Sequence, residues 1–355
     1  MVLWLASLSG AGAEPKLEVV ASFPHQQVTG VGVSQKSGRV FVNFPRWSDA
    51  YEFAVGEVLP NGTVKEYPDA AWNAKDGDPA KRFVCVQSVV ADNAGHLWVL
   101  DPASPKFAGV VPGGAKLVEI DLATNQVMRV YPFDGAVAPQ KSYLNDVRID
   151  AAHRAAYLTE SGIGSLIVLD LDSGHARALL RDSKLTKAES GINFVIDGIH
   201  LIDPATGQAP AFHADGLAFD AKRGVVYFHA LTGHSLYRVP AKDLRDASLS
   251  EDALAAKVER VATTPMPDGM LESPDGTLLL TDLEDNAVVR CDPKTGRLTT
   301  VVKDDRLQWP DTLAWGPDGW LYVTASQIHR AAMFNAGVSR QLGPYQVFRV
   351  HLPGD

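Results

Sequence analysis

Three aspartates, Asp215, Asp268 and Asp311, each open a short apolar run that is followed by a turn and a second apolar run. Asn145, Gln87 and Thr29 hold the same place in three further copies of that pattern. Carboxylates set among amides and a hydroxyl can bind a small polar molecule, move a proton or hold a hard cation. Like charges gathered in one place raise each other's pKa unless a cation or hydrogen bonds compensate. No Lys or Arg holds any of the six positions, so the compensation has to come from elsewhere. Two chemistries follow, a metal site or a proton-transfer site on Asp215, Asp268 and Asp311. An Asp at a strand start also caps turns, which is the structural alternative.

The second run of each copy adds outer candidates: Asp101, Glu160, His229 and Asp282. His229 lies in the apolar stretch YFHAL, one strand out from Asp215, and is read as an acid–base partner. Glu160, Gln87, Asn145 and Thr29 are read as ligand-binding groups, with Phe44 and Trp47 as an aromatic wall. Other signals fall short. DLDSG from Asp170 and DGD from Asp76 lack the distal Glu of a calcium loop. His229 and His234 have no H-E-x-x-H spacing.

Residues at equivalent repeat positions converge only if the repeats close on an axis. The copies start at Thr29, Gln87, Asn145, Asp215, Asp268 and Asp311, at intervals of 58, 58, 70, 53 and 43 residues. A regular core with irregular spacing means variable loops on repeated units. Further strands follow each copy, such as Leu117–Leu122 and Val127–Phe133, joined by hairpin turns. No helix-length apolar period recurs between strands, and the one short helical piece falls around Ser250–Lys257. The expected fold is all-β, a six-bladed β-propeller whose first strands line a central channel. Leu17–Phe23 should pair with Tyr345–His351 and remove the open sheet edge. The longest insertion, Asp182–His213, carries the apolar run FVIDGIHLI and is read as a covering loop or extra hairpin over one face.

Composition narrows the function classes. The 355 residues are 46% hydrophobic and 21% charged, as in globular chains. A net charge of -9 without a basic run argues against nucleic acid. No stretch after the first residues reaches the ~18 uncharged apolar residues of a membrane span. Two cysteines exclude a disulfide-dense scaffold, and Cys85 and Cys291 fall in blades too far apart to bridge. Val2–Ala13 is small and apolar and ends Ala-Gly-Ala, as in a secretory signal without its basic start. Residues 1–13 are therefore read as a truncated signal remnant and 14–355 as one monomeric propeller domain, secreted or periplasmic.

Several stretches resemble the Yellow / major royal jelly protein family in a bacterial-type form. They are VFVNFPRW (Val40–Trp47), VQSVVADNAGHLWVLD (Val86–Asp101), AYLTESGIGSLIVLDLDSG (Ala156–Gly174), DGLAFD (Asp215–Asp220) and LQWPDTLAWGPDGWLYV (Leu307–Val323). The resemblance implies a six-bladed, usually secreted propeller. Its members include dopachrome-converting proteins and amine-binding salivary proteins. More distantly the chain is similar to gluconolactonase and regucalcin propellers, which hold a divalent cation with Glu, Asn and Asp at inner-strand starts. Asn145, Asp215 and Asp268 match that layout, so the implied ion is Ca²⁺ or Mg²⁺. Thr29 or Gln27 stands where the first-blade Glu would be. Three functions are expected in order: dopachrome-tautomerase-like proton transfer, metal-dependent lactone or ester hydrolysis, and non-catalytic binding of small amines.

Overall fold

The computed structural model describes residues 15–203 and 206–352, so the signal-like segment lies outside the described residues. Six four-stranded antiparallel sheets follow one another along the chain. Their first strands are Gly30–Val33, Ser88–Ala91, Leu144–Asp150, Ala214–Asp220, Met270–Glu272 and Pro310–Trp315. Each packs against the next, and the last packs against the first, so the sheets are the blades of a closed propeller. Alternation along the strands sends one row of apolar side chains to each neighbouring blade. The core is accordingly divided into layers between blades, such as Trp98, Leu117, Val147 and Leu158 between blades two and three.

Closure follows the expected strand exchange. Tyr345–His351 pairs on one side with Trp320–Ala325 and on the other with Glu18–Phe23. The short helix near Ser250 is Glu251–Ala255, with the Ser250 hydroxyl accepting from the Ala253 amide. The insertion forms a two-stranded hairpin, Val195–Ile196 with Ile199–His200. Its Phe194, Ile196 and Leu201 pack on Leu231, Met266, Leu283 and Trp309. Both cysteines are buried free thiols.

Two devices aim the inner-strand residues. The strand register slips between Leu144 and Val147, between Ala214 and Leu217, and between Pro310 and Leu313. Each bulge re-aims the pair Asn145-Asp146, Asp215-Gly216 or Asp311-Thr312 out of the ladder. Close approach of neighbouring blades then demands small residues, and a Cβ on Gly269 would meet the Asp311 carbonyl oxygen at 2.0 Å. The second device is a hydroxyl on the second strand of a blade. Thr324 Oγ1 accepts from the Thr312 amide at 2.9 Å and donates to the Thr29 carbonyl of blade one at 2.7 Å. Thr159 does the same for Asp146 and the Asp215 carbonyl, and Asn43 reaches the Gln87 carbonyl. Thr324→Val keeps the shape and strands two buried backbone groups. It should destabilise by about 1–3 kcal/mol, read as a melting midpoint lower by several degrees, and an unchanged melt would show that the hydroxyl does not tie the blades.

Candidate functional site

A cavity of about 730 Å³ opens at one end of the channel. Gln27, Gln87, Asn145, Asp215 and Asp268 form its floor, and Trp47, Phe107, Tyr143, Phe212, Trp309 and Phe334 form its walls. The floor residues come from blades one to five, because each precedes or sits in a first strand. The walls come from connecting loops and from the insertion, which contributes Pro210, Ala211 and Phe212.

The polar floor is one directed hydrogen-bond chain. Trp47 Nε1 donates to the Tyr143 hydroxyl at 2.7 Å, and that hydroxyl donates to Gln87 Oε1 at 2.9 Å. Gln87 Nε2 donates to Asn145 Oδ1 at 3.4 Å, and Asn145 Nδ2 donates to Asp215 Oδ2 at 2.7 Å. From the other side, Trp309 Nε1 donates to Asp268 Oδ2 at 2.6 Å. Asp215 and Asp268 are neighbours on this floor, and their carboxyls act on each other electrostatically. Asp215 Oδ1 is buried without a hydrogen-bond partner, and two neighbouring carboxyls favour a proton between them. Burial, then the Asp268 charge, drives the Asp215 carboxyl well above the usual range. Burial pushes Asp268 up to about 7, and the Trp309 bond opposes that rise. Adjacent buried acids favour sharing one proton rather than carrying two charges.

Deeper in the channel Asp311 accepts from Ser326 and Thr312 and is also raised well above its ordinary value, chiefly by burial and then by the Asp268 charge. Asp146, which the repeat alignment passed over, is a fourth buried carboxylate. The compensating cation is Arg148, three residues after Asn145. Its guanidinium bonds Asp146 at 3.3 Å and the Met270 carbonyl at 2.7 Å.

The structure brings Gln87, Asn145, Asp215, Asp268 and Trp47 together at the cavity and places the other candidates elsewhere. His229 is not a partner of Asp215. Its Nδ1 bonds the Ala230 carbonyl and its Nε2 bonds Thr264, and burial lowers its pKa to about 4. It occupies the strand position held by Thr159 and Thr324, so it is a packing and tying group. Glu160 is spent on the amides of Tyr143, Gly162, Ile163 and Gly164. Asp101 likewise takes the Val84, Cys85 and Ala103 amides and a buried Lys116. Acids at this position clamp the loop that enters the first strand. Phe44 packs edge-on against Phe23 and Phe53 in the layer between blades six and one. Thr29 accepts from Asn43. Neither it nor Asp311 lines the cavity wall or floor.

Tyr143 and Trp309 were missed, although the signal was present. Read two residues upstream of Thr29, Asn145 and Asp311, the same repeat alignment gives Gln27, Tyr143 and Trp309, all lining the cavity.

The donor set does not form a cation cage. Hard cations of the Ca²⁺ type take six to eight oxygens. Here Asp215 Oδ2 already accepts from Asn145 and Asp268 Oδ2 from Trp309, the Asn145 amide is engaged on both sides, and Gln27 donates to the Ser326 carbonyl. Among the described residues no group of three or more His, Cys, Asp or Glu is placed to hold a metal. Treatment with EDTA, then saturating calcium, should leave the melting midpoint unmoved. A fall restored by calcium would contradict this, because a bound ion stabilises by mass action.

A family model described as major royal jelly protein matches residues 84–341. Protein yellow of Drosophila madeirensis is 25% identical over 279 residues, 73% of this chain and 47% of that protein. The chain thus spans about half the length of the curated relatives it matches. Among solved structures, a gluconolactonase from Xanthomonas campestris has a TM-score of 0.58 at 13% identity, covering 99% of this chain and 94% of its own. Regucalcin from Agrobacterium tumefaciens, a calcium-binding protein, has a TM-score of 0.57 at 16% identity, covering 97% and 95%. At these identities the likeness is one of fold.

Proposed function

The chain belongs to the major royal jelly protein family, and on that premise we propose that its cavity isomerises a small aromatic molecule by proton transfer, in the manner of a dopachrome tautomerase. The observation that supports this reading is the neighbouring Asp215 and Asp268 carboxyls, both raised by burial, at the floor of an aromatic-walled cavity. A general acid–base group works best with a pKa near the operating pH, and Asp268 at about 7 meets that condition. In the forward step Asp268 takes a proton from a ring carbon as Asp215 gives its own to the conjugated oxygen or carbon at the far end. The double bonds shift, no electrons leave the substrate, and transfer from Asp268 to Asp215 restores the pair. Trp47 and Phe107 offer aromatic surface to a flat substrate.

One charge left on the pair beneath aromatic walls also suits a small ammonium ligand, and this is the second reading. Export is part of the first, supported by the apolar Val2–Ala13 segment. The test is a panel with the purified protein. Freshly oxidised dopa should lose its visible absorbance faster than in buffer, whereas lactones and simple esters should not turn over. Saturable binding of an aromatic amine without turnover would replace the first reading with the second. Lactone hydrolysis would overturn both.

A further inference from the structure

The hairpin of the 182–213 insertion carries a residue that lines no part of the cavity yet is tied to its chemistry. Asp197 stands at the hairpin turn with φ 50°, between Ile196 and Gly198. Its carboxylate accepts from Asn286 Nδ2 at 2.8 Å, from His329 Nε2 at 3.1 Å and from an Arg330 Nη at 3.2 Å. Asn286 belongs to a loop of blade five, and His329 and Arg330 to a loop of blade six. One side chain thus fastens the insertion across two blades.

The fastening leads to the floor. The His329 ring is fully buried and lies parallel to the Trp309 indole, with centroids 6.0 Å apart and planes 7° apart. A second ring partner is Phe194 of the insertion, 5.9 Å from Trp309 at 28°. Trp309 therefore stacks with both an insertion ring and a ring oriented by the insertion's own carboxylate. Its Nε1–H is the donor to Asp268 Oδ2.

We propose that Asp197 is a positioning residue which, through His329 and the Phe194–Trp309–His329 stack, sets the indole that holds Asp268 in place. The proposal rests on the proton-transfer reading only for its use; the coupling itself concerns the ligand-free protein. Burial keeps His329 neutral, with its pKa down to about 4, so the Asp197 charge is balanced by Arg330 while His329 Nε2 donates. Around Asp268 the other charged and titratable groups are Asp215, Asp146, Asp311 and the Arg148 guanidinium, and none of them touches Asp197.

The test uses the Trp309 indole N–H resonance in the full-length protein, assigned with Trp309→Phe. Asp268→Ala gives its position without the carboxylate acceptor. Asp197→Ala should move the resonance most of the way to that position, and Asp197→Asn, which keeps acceptor oxygen at the same site, should bring it back. Lys187→Ala controls for simple loosening of the insertion. Lys187 binds the Ile163, Gly164 and Arg181 carbonyls at its base and does not touch Trp309. It should lower the melting midpoint and leave the resonance in place. An unmoved resonance in folded Asp197→Ala would overturn the proposal, as would an equal movement in Lys187→Ala. If Asp197→Ala does not fold, His329→Gln reads the same coupling: the resonance should shift, and an unshifted one overturns the proposal. Neither readout needs turnover, so a cavity without catalysis leaves the outcome intact.

Discussion

Removing residues 15–23 is expected to lower the melting midpoint by about 10 °C or to leave the protein aggregated. The deletion takes away the strand Glu18–Phe23, which pairs with Tyr345–His351 along its length and closes blade six. It also takes away Leu17, buried between blades five and six, and Phe23, buried against Phe44. Each fully buried side chain of this size contributes ~1.5–3 kcal/mol. Together they reach roughly 3–6 kcal/mol, and one kcal/mol moves the midpoint of a chain of this order by about 2–4 °C. The edge left on Tyr345–His351 is a template for pairing with another molecule. Because a closed ring loses its remaining blade contacts together, the intact protein should melt in one transition by calorimetry. A truncated protein with an unchanged melt would show that the ring is not closed by this strand.

Asp268→Asn is expected to stabilise the protein at pH ~8 by about 5 °C and to change little at pH ~4, while removing the proton acceptor. Asp215→Asn should move in the same direction. Folding raises the Asp268 pKa to about 7 and that of Asp215 well above its ordinary value. A group raised on folding lends stability that is complete below its unfolded value, near 3.9, and is lost as pH climbs through the folded one. The wild type therefore loses stability between pH ~4 and ~7, where the unfolded carboxyl has ionised and the folded one still holds its proton. Asn cannot ionise and escapes that loss, so its advantage grows with pH. Melts of the wild type and the variants across this range check the sign. A cation shared by the two carboxylates would reverse it, and Asp268→Asn would then be less stable at high pH.

The fold was legible because the repeat is written twice over, in the polar residue that opens each copy and in the Asp/Asn/Gly turn that divides it. Apolar alternation fixed the blades, and the terminal strands Leu17–Phe23 and Tyr345–His351 fixed the closure. The ring of Gln87, Asn145, Asp215 and Asp268 was legible for the same reason, since equivalent positions in a closed ring must converge. The bulges were not, because a slip in register leaves no mark in composition. Asp146 follows Asn145 directly and lies within the bulge, which takes it out of the ladder. His229, Asp101 and Glu160 misled because a buried acid or imidazole on a second strand has the same residue type whether it meets a ligand or clamps a loop. Backbone amides settle that, and they carry no sequence signature. The insertion was readable as a hairpin, but its contact with Trp309 is a tertiary fact, set by where residues 194–197 land across blades five and six.

The central claim is that Asp268, paired with Asp215, moves the proton in the cavity. The most direct measurement is the isomerisation rate of oxidised dopa by the wild type and by Asp268→Asn at one pH near 7, with binding of the substrate followed through tryptophan fluorescence in both. General acid–base groups supply about 10²–10⁴-fold in rate, so the rate should fall by roughly 100-fold or more while binding persists. An Asp268→Asn protein that binds and isomerises as fast as the wild type would contradict the account.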